Sequence, residues 1–165
     1  MTPAPTSKSL LASLNILYFS LVATMIAFGL VVLYLNYSGG IIAEVDAEFA
    51  LLLRYVLLVM LPVGLGLGYF LFKKLTASIS STISLKEKLF KYQSALLIRS
   101  ACFEVPGLFA SVAALITKDS SFLLFTGIVV ALFFLFRPTV FSITTDLNLS
   151  HTQRSVLENP LSPLT

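Results

Sequence analysis

LLASLNILYFSLVATMIAFGLVVLYL, residues 10–35, runs for 26 residues without one Asp, Glu, Lys or Arg. A helix rises 1.5 Å per residue, so about 20 consecutive apolar residues cover the ~30 Å hydrocarbon core of a bilayer. Uncharged polar residues such as Asn15 and Thr24 are the only interruptions. A cleavable leader would have an apolar region of roughly 7–15 residues followed by a small-residue cleavage site. This run is longer and no such site follows it, so it reads as a retained transmembrane helix.

The rest of the chain repeats the pattern. Leu51 to Phe72 is a second span, with Arg54 near its start, Pro62 inside it and Lys73-Lys74 closing it. Residues 94–116 form a third, and Phe122 to Phe136 a short fourth that Arg137-Pro138 ends or kinks. Composition agrees: 57% apolar and only 12% charged residues, with a mean hydropathy of +0.94. A soluble domain carries roughly twice that share of charge. The fold class read from sequence is therefore all-α, an integral membrane four-helix bundle. Residues 1–9 and 142–165 flank a membrane domain of 10–141 as tails.

Two capping boxes place helix starts. Ser84-Leu85-Lys86-Glu87 starts a helix at Leu85 that continues through the third span to Ile116. Such a helix is about 48 Å long, so its first turns, with Lys86, Lys88 and Lys91, are expected to project into water. Ser150-His151-Thr152-Gln153 starts a second, short helix that stops near Pro160.

Basic residues fix the expected orientation, because cytoplasmic loops carry the excess of Lys and Arg. Lys8, Lys73, Lys74, Lys86, Lys88, Lys91, Arg137 and Arg154 fall on one side, against Lys118 and the rim residue Arg54 on the other. Both termini are thus expected in the cytoplasm, with the acidic loop of Glu44, Asp46 and Glu48 outside. The net charge of +3 flanks apolar runs and forms no face of its own, which argues against a nucleic-acid partner. The bilayer is the first partner, and Lys86, Lys88 and Lys91 are candidate contacts to lipid headgroups. The lone Cys102 permits no intrachain disulfide, and no cofactor or metal motif is present.

One residue in the spans demands an explanation. Glu104 lies near the middle of the third span, where an ionised carboxylate costs at least about 2.5–3.5 kcal/mol. Its helical neighbours include Ser100, Ala101, Gly107 and Ser111, a small-residue face that allows close helix approach. Glu104 is therefore expected to point into the bundle. By depth, Gly64, Thr126 or Gly127, and Thr24 on the other spans fall at the same level, and Pro106 frees the Cys102 carbonyl beside it. The layer suits a candidate proton or cation site, and it equally suits a protonated carboxyl that only ties helices together. Gly64 and Gly68 form a G-x-x-x-G packing face, with Gly107 and Gly127 as further close-approach positions. Arg99 and Arg54 are expected to reach towards opposite surfaces of the membrane.

Gly64-Leu65-Gly66-Leu67-Gly68 followed by Ala101-Cys102-Phe103-Glu104-Val105-Pro106-Gly107-Leu108-Phe109 resembles the helical hairpin of rotor-ring c subunits of ATP synthases. The resemblance covers 64–116 and implies an ion-binding role for Glu104. The polar loop carries no Arg-Gln-Pro, and two further spans flank the hairpin. The whole chain also resembles small uncharacterised four-helix bacterial membrane proteins, which implies a bacterial cytoplasmic (inner) membrane and no activity. No nucleophile–base pair lies within the spans. The functional expectation is a non-enzymatic scaffold or accessory subunit, a homo-oligomer or bound to a membrane-protein partner, with proton or small-cation handling at Glu104 as the alternative.

Overall fold

The computed structural model describes residues 7–39 and 45–159. Expectations that fall on residues 1–6, Gly40, Glu44 and 160–165, Pro160 included, lie outside the described residues. The described chain is helical throughout, in the order α1 (Ser7–Ser38), α2 (Ala47–Ala77), α3 (Leu85–Thr117), α4 (Leu123–Leu135), α5 (Val140–Asp146) and α6 (His151–Glu158). A single 3-10 turn, Ser120–Phe122, leads into α4.

Three of these helices, α1, α2 and α3, are long and apolar enough to cross a membrane. At 32, 31 and 33 residues they are each about 46–50 Å long, so all three outreach the hydrocarbon, not α3 alone. Helix starts follow local chemistry. Ser84 Oγ accepts from the Glu87 N–H at the head of α3, and Ser150 Oγ accepts from the Gln153 N–H at the head of α6. Gly39, at φ 72°, takes the left-handed turn after α1 that glycine adopts without Cβ strain.

The fourth apolar segment departs from a simple span. Residues Ser120–Leu135 and Val140–Asp146 pass as a span only together, and they meet at a 78° bend. Pro138 has no N–H to continue the ladder, and Thr139 then opens α5 with its own capping box. At 13 residues, α4 is about 20 Å long and does not cover the hydrocarbon alone.

The packing also differs from a square bundle. Helix α3 is central, with α2 on one side and α1 and α4, which touch each other, on the other. Helix α2 is consequently an edge, buried only at Leu57, Gly68, Phe72 and Thr76. The core divides between the two ends. One cluster joins Leu10, Leu14 and Tyr18 to Leu89, Tyr92 and Phe133, and the other joins Val32, Leu57, Ala110, Ala114 and Phe122.

The first turns of α3 do not stand bare in water. Leu85, Lys88, Leu89 and Tyr92 are all buried, and Ile143 of α5, Leu147 just after it and Leu157 of α6 share a cluster with the three apolar ones. The physical reason is amphipathicity: α6 has too little apolar surface to stand alone and packs its apolar side on α1 and α5, while its Gln153 holds Lys88 of α3.

Candidate functional site

Helix periodicity sets where Glu104 lies. The α2 glycines pack on α3 at Cys102 and Pro106: a Cβ on Gly64 would stand 2.8 Å from the Cys102 carbonyl oxygen and 3.4 Å from the Pro106 ring. Glu104 is two residues from each, so it projects about 160° away from them around the helix. The carboxyl therefore lies on the side of α3 opposite α2, and Gly64 forms no layer with it, whatever its depth. The Cys102 carbonyl that Pro106 leaves free faces the Gly64 backbone instead.

Glu104 is half-buried, at the border between the α3 face that holds buried Ser100, Gly107 and Ser111 and an exposed stripe that holds Ile98, Ala101 and Val105. Its carboxyl has no hydrogen-bond or ion-pair partner among the described residues. One turn earlier on the same face, Ser100 Oγ is buried and also lacks a partner. Thr126, expected in the same layer, is occupied: its Oγ1 donates to the Gly107 carbonyl at 2.9 Å and lies 2.9 Å from Ser111 Oγ. Thr24 is exposed and donates back to the Ser20 carbonyl of its own helix.

The packing glycines divide. A Cβ on Gly68 would meet Cys102 Cβ at 2.9 Å and Phe103 at 3.0 Å, and one on Gly107 would meet Met25 Sδ and Val129. Gly127 is a correction. A Cβ there meets nothing within 4 Å, because α4 turns Thr126 and Val129 to the core and leaves Gly127 outward. The candidate headgroup lysines divide as well. Lys91 is exposed and pairs with Glu87 at 3.3 Å, and Lys86 is half-buried. Lys88 is a second correction: it is 3% exposed and its Nζ donates to Gln153 Oε1 of α6 at 3.1 Å, so it does not face headgroups.

The break after α4 carries the polar groups that sequence reasoning missed. A helix end leaves its last carbonyls without backbone donors, and side chains from neighbouring helices can supply them. Tyr18 of α1 donates its hydroxyl to the Phe133 carbonyl at 2.7 Å. Arg99 of α3 donates Nη2 to the Phe136 carbonyl at 2.8 Å, with its guanidinium 4.3 Å over the Phe72 ring. Arg99 is only 7% exposed, so it does not reach out to the surface as expected from its position. The Arg137-Pro138 pair signalled that carbonyls would be orphaned there; which side chains supply the donors depends on helix packing.

Ion pairs pin both ends. Lys73 at the end of α2 pairs with Asp146 of α5 at 2.9 Å. At the opposite end Arg54 pairs with Asp119 at 2.8 Å and donates to Ser121 Oγ at 2.9 Å. Hydrogen bonds from Ser121 hold the Asp119 carboxyl below its usual range, with Arg54 adding to the effect. Among the described residues no three His, Cys, Asp or Glu side chains group as a metal site. No family model, curated protein or solved structure matches this chain.

Proposed function

We propose that the protein is a non-enzymatic membrane subunit that associates with another membrane helix, a second copy or a partner protein, along the exposed stripe of α3. The observation that carries this reading is the Glu104 carboxyl, partnerless within the chain and set at the rim of that stripe beside Ala101 and Val105. Tyr18, Arg99 and Thr126, other polar side chains of the helices, are tied inside the monomer. A carboxyl in hydrocarbon without a partner gains most from a donor on another helix. In this reading both termini lie in the cytoplasm of a bacterial inner membrane, and the fourth span runs from Ser120 to the Arg137-Pro138 break, which lies at its cytoplasmic rim. The basic excess supports that orientation. So does the cavity shared by Lys8 of α1 with Arg154 and Glu158 of α6, which brings the first and last described helices to one end.

Proton or small-cation handling at Glu104 is the second reading, favoured by the unpartnered Ser100 Oγ one turn away, a second oxygen on the same face. Replacement separates the two. Glu104→Gln keeps hydrogen bonding and removes titration, while Glu104→Leu removes both. Native mass spectrometry of the full chain in detergent, which counts its copies and partners, together with labelling by an apolar carbodiimide across pH, reads the result. Association that survives Gln and fails with Leu supports the subunit. Carboxyl labelling that fades as pH rises, with association unchanged by Leu, supports ion handling and overturns the first reading.

A further inference from the structure

We propose that the cavity at the break between α4 and α5 is a binding site for the phosphate of an anionic phospholipid. It has a volume of about 200 Å³ and is walled by all four elements that meet there: Tyr69, Phe72 and Lys73 of α2, Arg99 of α3, the end of α4 with Arg137, and Ser142 and Asp146 of α5. Three cations face one carboxylate, and that carboxylate is already paired with Lys73 at 2.9 Å. Arg137 is exposed and has no hydrogen bond or ion pair among the described residues. Arg99 lines the cavity from a buried position, held over the Phe72 ring and fixed by the Phe136 carbonyl. A guanidinium presents five donors in a planar fork that matches phosphate oxygens, and fixing it in advance lowers the ordering cost of binding. Positive charge in excess, one rigid Arg and one free Arg thus surround an opening large enough for a phosphate.

The surroundings select a lipid over a free anion. The cavity lies where the chain turns 78°, at the Lys73-Lys74 end of α2, the depth at which headgroup phosphates sit if these helices span a bilayer. Its apolar walls run outward onto Tyr69, 51% exposed, and Leu135, 74% exposed, which offer an acyl chain a continuous path to the bilayer. Free phosphate would gain nothing from that path.

The test is titration of the full chain, in a neutral detergent, with phosphatidylglycerol, phosphatidylcholine or inorganic phosphate, read by native mass spectrometry. Arg137→Gln is the decisive variant, because this side chain holds no other group and its loss leaves the fold intact. Lys74→Gln, exposed at the same end but outside the cavity, reports diffuse attraction. The expected result is phosphatidylglycerol binding that weakens about fivefold in Arg137→Gln and is unchanged in Lys74→Gln. Equal losses in the two variants, equal binding of phosphatidylcholine, or displacement of the lipid by millimolar inorganic phosphate would each overturn the proposal.

Discussion

At Gly68 the backbones of α2 and α3 approach until a single added carbon would stand 2.9 Å from Cys102 Cβ and 3.1 Å from the Arg99 carbonyl. With Gly64 against Cys102 and Pro106 one turn earlier, this contact sets how closely α2 approaches α3. Gly68→Val is expected to destabilise the fold by about 1–3 kcal/mol through overpacking. Gly127→Ala is expected to change stability by less than about 0.5 kcal/mol. Denaturation of the purified protein in detergent measures both. A sensitive Gly127 would show that α4 packs against something outside the chain. Tyr18→Phe keeps the ring and removes the donor from the Phe133 carbonyl. Interhelical hydrogen bonds in membranes are worth about 0.6 kcal/mol on average and up to about 1.7. A loss in that range is expected, and no loss would mean the carbonyl finds a second donor.

Among the elements, the turn from α3 to α4 carries a pH-dependent contact. Lys118 closes α3 in the left-handed region, and Asp119 then accepts from the Ser121 N–H while pairing with Arg54. Because folding lowers the Asp119 value, its stabilisation is fully present above the unfolded value, about 3.9, and is lost as pH falls through the folded one. Protection of the amides at residues 119–123, taken relative to the intrinsic exchange rate at each pH, is expected to fall below about pH 4. Asp119→Asn is expected to show the lower protection already at neutral pH. Protection indifferent to both changes would show that the 3-10 turn itself, not the carboxylate, holds the loop. The break between α4 and α5 is an element-scale event of another kind. Arg137-Pro138 announced a stop, and α4 stops at Leu135, but the 78° redirection follows from where Tyr18, Arg99 and Asp146 catch the freed ends.

Across the whole molecule, the short helices α5 and α6 turn a sheaf of apolar rods into a structure with a covered end. Leu157 is 2% exposed and lies in the same cluster as Leu10, Leu14, Leu85 and Leu89. Leu157→Ala is expected to cost about 2 kcal/mol, the low end for a core leucine, since its helix is short and can settle inward. Ending the chain after Leu149 is expected to expose Lys88 and the head of α3. Limited trypsin digestion would then cut at Lys86 or Lys88 while the membrane-embedded sites stay intact. Resistance at those lysines would mean that α6 covers nothing of consequence.

The sequence alone determined most of the helices, though not α5: the charge-free run from Leu10 to Leu35, the capping serines Ser84 and Ser150, and the Pro138 stop are local signals, and each acts over a few residues of its own chain. It also exposed Glu104 as an anomaly, because the cost of a carboxyl in hydrocarbon depends on depth, and depth can be counted. Tertiary structure decided everything that depends on rotation about a helix axis. It put Gly64 and Glu104 on opposite sides of α3, turned Gly127 outward, drew Lys88 under α6 and made Arg99 a donor to the Phe136 carbonyl. A step of one residue turns a side chain by about 100°, so small changes in how helices pack reassign every face. No local pattern fixes that rotation; the mutual fit of α1, α2 and α4 around α3 does.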